Sequence, residues 1–456
     1  MSSRIPNEAL RAVLAEARWT GEALAAAVNR VGAEAGLSLH YRRSSVTHWL
    51  AGMRPRPPVP ALLAEAFSRR LGRRVTTDDI GLGSQRQAVA TGAWWPRDLV
   101  GELIELADAG ARGEEIGASA VYSLACLEIP EWTRLPAVVR VESPAARPGA
   151  KVGRTEIRSA ELMLRLFSEM EALFGGGHVR AALVHYLAAT ITPWLGASMT
   201  SQLRRELLAV AGRLGYLCGF ACFDEQLHGA AQRYYRVAAR MAAEAGDVVG
   251  YAAAARQMSV QAGVLGHRRH ARALAETAYR TRPLISDRAT RAFLAGQLAV
   301  TAAAEGHRRS ALVAIATAGH DLEQADVAAL APVVAYHWGS LGHQHAVMAA
   351  TLGDTAEAVA VLKRSMTYRP CGERRSATLM YARLAEWQLT LGEIERACDS
   401  WHCFLDSYPD LRSRRLTDAL AVLLASTRPH QRNPWVRALR DRALRVNAPR
   451  HRPDGP

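Results

Sequence analysis

Four glycines in the second half of the chain constrain its fold more than any other feature. Gly266, Gly306, Gly353 and Gly392 follow one another at intervals of 40, 47 and 39 residues, and the fifth residue after each is alanine: Ala271, Ala311, Ala358 and Ala397. Two of the glycines open the run Gly-His-Arg-Arg, at 266–269 and 306–309, and two sit in Leu-Gly-acid, at 352–354 and 391–393. Amphipathic helical patterns flank every one. A glycine between two helices can take positive φ, and a small alanine early in the second helix lets that helix close on the first. The pattern predicts stacked helical hairpins of the tetratricopeptide kind, with periods above the ~34 residues of a strict repeat. A degenerate unit is expected at 203–246, with Leu214-Gly215-Tyr216 in its first helix and Tyr234-Tyr235-Arg236 in its second. Together the hairpins predict an α-solenoid with a concave surface.

The first 85 residues follow a different pattern. Val46, Trp49 and Leu50 form an apolar stripe on a short helix, while Arg43, Ser44, Thr47 and His48 occupy the remaining arc. Gly52 can stop that helix, and Pro55, Pro57 and Pro58 forbid its resumption beside Arg54 and Arg56. Before it, Thr20 is a candidate N-cap for a supporting helix through Leu24, Ala27, Val28 and Val31; further helices are expected at 8–17 and 59–71. Supporting helix, connection and short polar-faced helix make a helix-turn-helix. Twelve arginines against seven carboxylates in residues 1–85, within a chain of net charge +14, suit a phosphate backbone. On this reading Arg43, Ser44, Thr47 and His48 read bases, Arg54 and Arg56 hold phosphate, and Arg42 and Ser45 complete the DNA-binding set.

This order of elements resembles the lambda-repressor-like class of DNA-binding domains, with one departure: residues 32–41, GAEAGLSLHY, make a longer connection than that class uses. The run at 49–83, WLAGMRPRPPVPALLAEAFSRRLGRRVTTDDIGLG, with the extended connection, resembles actinobacterial regulators of the NsdA-like family. The glycine triplet at 175–177, followed by Arg180 and Tyr186-Leu187, resembles it too. The resemblance implies a transcription regulator of sporulation and antibiotic production, with helical repeats after the DNA-binding domain.

The expected organisation is an all-α chain: a helix-turn-helix domain at 1–85, a connecting segment at 86–154 with a Pro/Gly-rich hinge at 141–154, repeats at 155–411, and a basic cap and tail at 412–456. The last stretch holds eleven arginines and three aspartates, a solvated face or an auxiliary phosphate contact. The glycine triplet has no preceding strand and no following Lys-Ser/Thr pair, so it reads as a helix–helix turn rather than a nucleotide site. Six cysteines (Cys126, Cys218, Cys222, Cys371, Cys398, Cys403) form no CxxC pair, which points to buried thiols in a reducing cytoplasm. No catalytic motif, metal site or cofactor site stands out, and neither a signal peptide nor a membrane span is expected.

The expected function is therefore a non-enzymatic DNA-binding regulator, with double-stranded DNA as partner and a homodimer as its form. A peptide or small molecule would bind the repeat groove, where His267, His270, His307, His337, His343 and His345 with Tyr336, Trp338, Tyr381 and Trp387 are candidates. Singly, those aromatics and histidines fit core and turn positions equally well. The alternative is a scaffold that docks proteins in the groove.

Overall fold

The computed structural model describes residues 5–83, 99–111, 121–137, 152–325 and 336–447. Most of the expected hinge at 141–154, much of the connecting segment before it and the end of the tail lie outside the described residues. Regular structure is all-α, with helices in packed pairs and no strand among the described residues. The chain divides into two units, residues 1–165 with 180–285, and residues 166–179 with 286–456.

In the first unit α1 (Glu8–Glu16), α2 (Gly21–Glu34), α3 (Arg43–Leu50) and α4 (Val59–Leu71) enclose one core, with Leu10, Leu24, Val28, Trp49, Leu62 and Phe67 buried. Thr20 caps α2, its hydroxyl accepting the Ala23 N–H at 3.2 Å. Asn7 ties three elements together. Its side chain accepts the Leu10 N–H at 2.9 Å and donates to the Ile80 carbonyl at 3.0 Å, and its own N–H donates to the Leu50 carbonyl at 3.0 Å.

Then come α5 (Leu99–Ala111), α6 (Arg154–Phe174) and α7 (Gly176–Tyr186). The expected hinge ends in order: Val152 is buried and the Gly153 N–H donates to Glu156 at 2.8 Å, so these residues cap α6. The periodic pattern from Val179 predicts a helix to Thr192 that stops before Pro193, but the helix continues through the proline. A π turn at Leu187–Ile191 widens the backbone, the Thr192 N–H and hydroxyl both go to the Leu187 carbonyl, and α8 (Thr192–Leu195) carries the proline in its first turn.

Two hairpins complete the unit: α9 (Ser201–Asp224) with α10 (His228–Ala245), and α11 (Val248–Val264) with α12 (Arg268–Tyr279). By length and composition α9 could cross a membrane, but most of it is buried. It lies against α10 backbone to backbone: a Cβ on Gly219 would meet the Tyr235 ring at 2.6 Å, and one on Gly212 would meet Met241 at 3.2 Å.

The second unit continues the hairpins with α13 (Arg288–Ala304) and α14 (Arg308–Glu323), α15 (Trp338–Thr351) and α16 (Thr355–Thr367), and α17 (Arg374–Thr390) and α18 (Ile394–Ser407). The four repeat glycines take φ between +79° and +91°, each between two helices, and the four alanines are buried. The degenerate unit uses the same turn without glycine. Gln226 takes φ +58°, its N–H goes to the Phe223 carbonyl and that of Leu227 to Cys222, and the fifth residue after it, Ala231, is fully buried. The final pair, α19 (Arg414–Ser426) and α20 (Pro434–Asn447), shares a core with α17 and α18 around Trp401, Phe404, Leu416 and Leu439.

The glycine triplet makes the expected turn between α6 and α7. Gly175 has φ +91°, and a Cβ there would stand 2.4 Å from the Arg412 carbonyl oxygen, because Arg412 pairs its backbone with Phe174 and Gly177. Nearby in the same unit, Arg375 and Glu171 form a buried ion pair at 2.7 Å.

Candidate nucleic-acid interface

The position of α3 is set from behind. Its buried face consists of Val46 and Trp49, and Tyr41 meets the Trp49 ring edge-on at 5.0 Å. The long connection from α2 is packed rather than loose. Gly36, at φ +79°, ends α2, and the Leu37 N–H returns to the Gly32 carbonyl at 2.9 Å. Leu39 then crosses Gly32 so closely that a Cβ there would lie 2.4 Å from it. Asn29 holds Tyr41, accepting its N–H and donating to its carbonyl at 2.9 Å each. That bracket fixes the residue from which α3 starts. At the other end Gly52 takes φ +93° and the Met53 N–H returns to the His48 carbonyl, so the helix stops where the sequence indicated.

Of the residues expected to touch DNA, Arg42, Arg43, Ser44, Thr47, His48, Arg54 and Arg56 are exposed. Ser45 is half-buried, and its hydroxyl accepts the Arg42 N–H at 3.4 Å, which caps the helix start. The Thr47 hydroxyl donates to the Arg43 carbonyl at 3.1 Å, and Arg54 donates to the Gly83 carbonyl at 3.0 Å. Arg54 therefore fastens the end of the domain as well as facing solvent. Arg42, Arg43 and Arg56 form no ion pair among the described residues.

The arginines of α4 and of the turn after it have other roles. Arg69 pairs with Glu65 and Glu34, Arg70 donates to the Ala17 carbonyl beneath the Trp19 ring, and Arg73 pairs with Glu16. Net charge in the sequence could not separate these from the free arginines near α3. Nor did the sequence single out Asn7 or Asn29, whose partners are distant or lie across a loop.

The groove candidates have partners of their own. In the first unit His267 stacks on Tyr122 and meets His270 edge-on. In the second, His307 lies 3.7 Å from Glu305, His337 caps α15 and bonds Glu373 at 2.9 Å, and Tyr336 is buried with its hydroxyl on Gln344. His343 and His345 are half-buried, and burial brings His345 down from the ordinary imidazole range. Tyr381 and Trp387 lie partly buried against the cores of their hairpins, while Trp338 is exposed. Among the described residues no group of three or more His, Cys, Asp or Glu could hold a metal ion. Cys218 and Cys222 are fully buried, and burial pushes the Cys222 thiol up to about 12.

A family model described as the SP15 N-terminal domain matches residues 10–83. The matched stretch runs from the first fully buried leucine of the core to the glycine that Arg54 holds. Among curated proteins nothing matches the chain.

Proposed function

We propose that this chain is a DNA-binding transcription regulator that reads duplex DNA through α3. The observation that carries the reading is the exposed face of α3. It is polar, holds no carboxylate, and is bordered in the chain by Arg42 and Arg56, cations that have no ion pair among the described residues while the α4 arginines are engaged. An eight-residue helix spans about 12 Å and reaches only a few base pairs. Specific binding then calls for two copies on half-sites about one helical turn apart, hence a homodimer. The helical hairpins serve dimerisation or the binding of a peptide or small-molecule effector. Following the family resemblance, the regulated processes are differentiation and antibiotic production, in the cytoplasm.

The test is selection of genomic DNA fragments on the full chain, followed by titration at several salt concentrations. Binding through several phosphates weakens steeply with salt, by a slope of roughly 0.9 per phosphate contacted. A chain that selects no sequence, or whose binding survives replacement of Arg42, Arg43 and Arg56 together, does not read DNA through α3.

A further inference from the structure

Residues 121–130 of the first unit, which include a short 3-10 turn, are held by hydrogen bonds to their backbone, as a protein holds a peptide. Ser123 pairs both backbone groups with one side chain, its N–H donating to Gln232 at 2.9 Å and its carbonyl accepting from Gln232 at 2.8 Å. The Leu124 N–H donates to both oxygens of Glu65, at 3.3 and 3.2 Å. On either side, the Tyr122 carbonyl accepts from Arg69 at 3.5 Å and the Pro130 carbonyl accepts the Tyr251 hydroxyl at 2.5 Å. Glu65 and Arg69 belong to α4, in the N-terminal domain. Gln232 and Tyr251 belong to α10 and α11, in the repeats.

The Tyr122 ring lies between the two sides. Arg69 stands over it at 5.5 Å, and His267 of α12 stacks nearly parallel to it at 5.7 Å. Among the described residues no helix of the N-terminal domain packs extensively on a repeat helix, whereas α4 packs on the short 3-10 turn at Leu124–Cys126. Among the described residues this strap, residues 121–130, joins the two by hydrogen bonds, beside a closer approach of Gly36 to Leu227.

The joint buries Tyr122, Leu124 and Leu127, but what grips its backbone is polar. Glu65, Arg69 and Glu34 bring two carboxylates and one guanidinium into a buried cluster, and the buried Tyr122 hydroxyl has no hydrogen-bond partner. Docking the strap takes Glu65 and Arg69 further out of water, which offsets part of what its hydrogen bonds to them contribute. Contacts aimed at backbone can also be remade without repacking a core.

We propose that residues 121–130 are a releasable latch, which when docked holds the N-terminal domain, and with it α3, against α10–α12, and when released lets that domain move independently. Its bearing on DNA rests on the function proposed above; the latch itself does not.

The experiment is hydrogen exchange by mass spectrometry on the full chain, with Gln232→Ala, which lies outside the N-terminal core, and Tyr122→Ala as a second variant. A fluorophore on α1 reports rotational diffusion of the domain in parallel. Exchange across 121–130 is expected to rise at least tenfold in both variants, with faster rotation of the fluorophore and unchanged protection of α2 and α4. Unchanged exchange in the strap overturns the proposal, and so does a rise that α2 and α4 share, since strap and domain would then open as one unit. Failure to find a DNA site would remove the function reading and leave these outcomes intact.

Discussion

The side-chain amide of Asn29 brackets the backbone of Tyr41, accepting from its N–H and donating to its carbonyl at 2.9 Å each. One residue of α2 thereby closes a connection of eight residues between the two helices and sets where α3 begins.

Asn29→Ala leaves both backbone groups of Tyr41 without that partner in a half-buried site. The N-terminal domain should lose about 1–3 kcal/mol. Asn29→Asp should cost at least as much, since a carboxylate oxygen then faces the Tyr41 carbonyl. Exchange of the α2 and α4 amides in the full chain measures it; wild-type protection in both variants would make the bracket incidental.

Arg43 and Arg56 should separate on DNA. Arg43→Ala, on the exposed face of α3, is expected to relax sequence preference, by about 1–3 kcal/mol at one base pair. Arg56→Ala should weaken all sequences alike and lower the salt slope by about one. Titration of matched and scrambled sites decides, and a uniform loss in both variants removes the base-reading role of Arg43.

The repeat turns offer a reciprocal pair of substitutions. Gly306 has φ +79° with nothing within 4 Å of a would-be Cβ, so Gly306→Ala should cost about 1–2 kcal/mol through backbone strain alone. Gln226 already bears that strain at φ +58°, and Gln226→Gly should stabilise by about 0.5–1 kcal/mol. Urea unfolding of each variant tests the signs; the same sign for both would refute the shared turn.

Two pH dependences of opposite sign should meet at the strap. Burial pushes the Glu65 carboxyl up to about 7 against the pull of Arg69, and burial, with Arg69 and His270, brings His267 down to about 4. The surrounding titratable groups are Glu34, Arg69, Tyr122, Cys126, Glu128 and His270, and burial also lowers His270. From 4.5 to about 7 the folded domain holds more proton at Glu65 than the unfolded chain, so the Glu65 contribution to domain stability falls as pH rises. From about 4 to 6.5 the released state holds more at His267, so the His267 contribution grows with pH. The two run in opposite directions, Glu65 in the stability of the domain and His267 in the docking of the strap. Strap docking in the unmodified chain and in Glu65→Gln should both tighten with rising pH, each by up to ~1.4 kcal/mol per pH unit. Exchange of the strap amides, corrected for intrinsic rates, reads both; two flat profiles would refute the account.

By itself the sequence determined what local physics decides. The repeat glycines needed positive φ, their alanines needed to be small, Thr20 needed only the next turn of backbone to cap, and α4 runs over Val59–Leu71 as its apolar spacing indicated. The exposed arc of α3 was legible in the same way, from 3.6-residue periodicity. Tertiary structure decided what depends on distant partners. Gln226 could be seen in the glycine position only once the backbone was traced, because its side chain gives no sign of positive φ. Arg69 and Arg43 are the same residue type in the same basic segment, yet one is half-buried and paired with two carboxylates and the other faces solvent. The strap is the clearest case. In the sequence, residues 120–127 are a short apolar segment, and the place of Ser123 and Leu124 between Gln232 and Glu65 follows from hydrogen bonds spanning 109 and 59 residues, which no local pattern encodes.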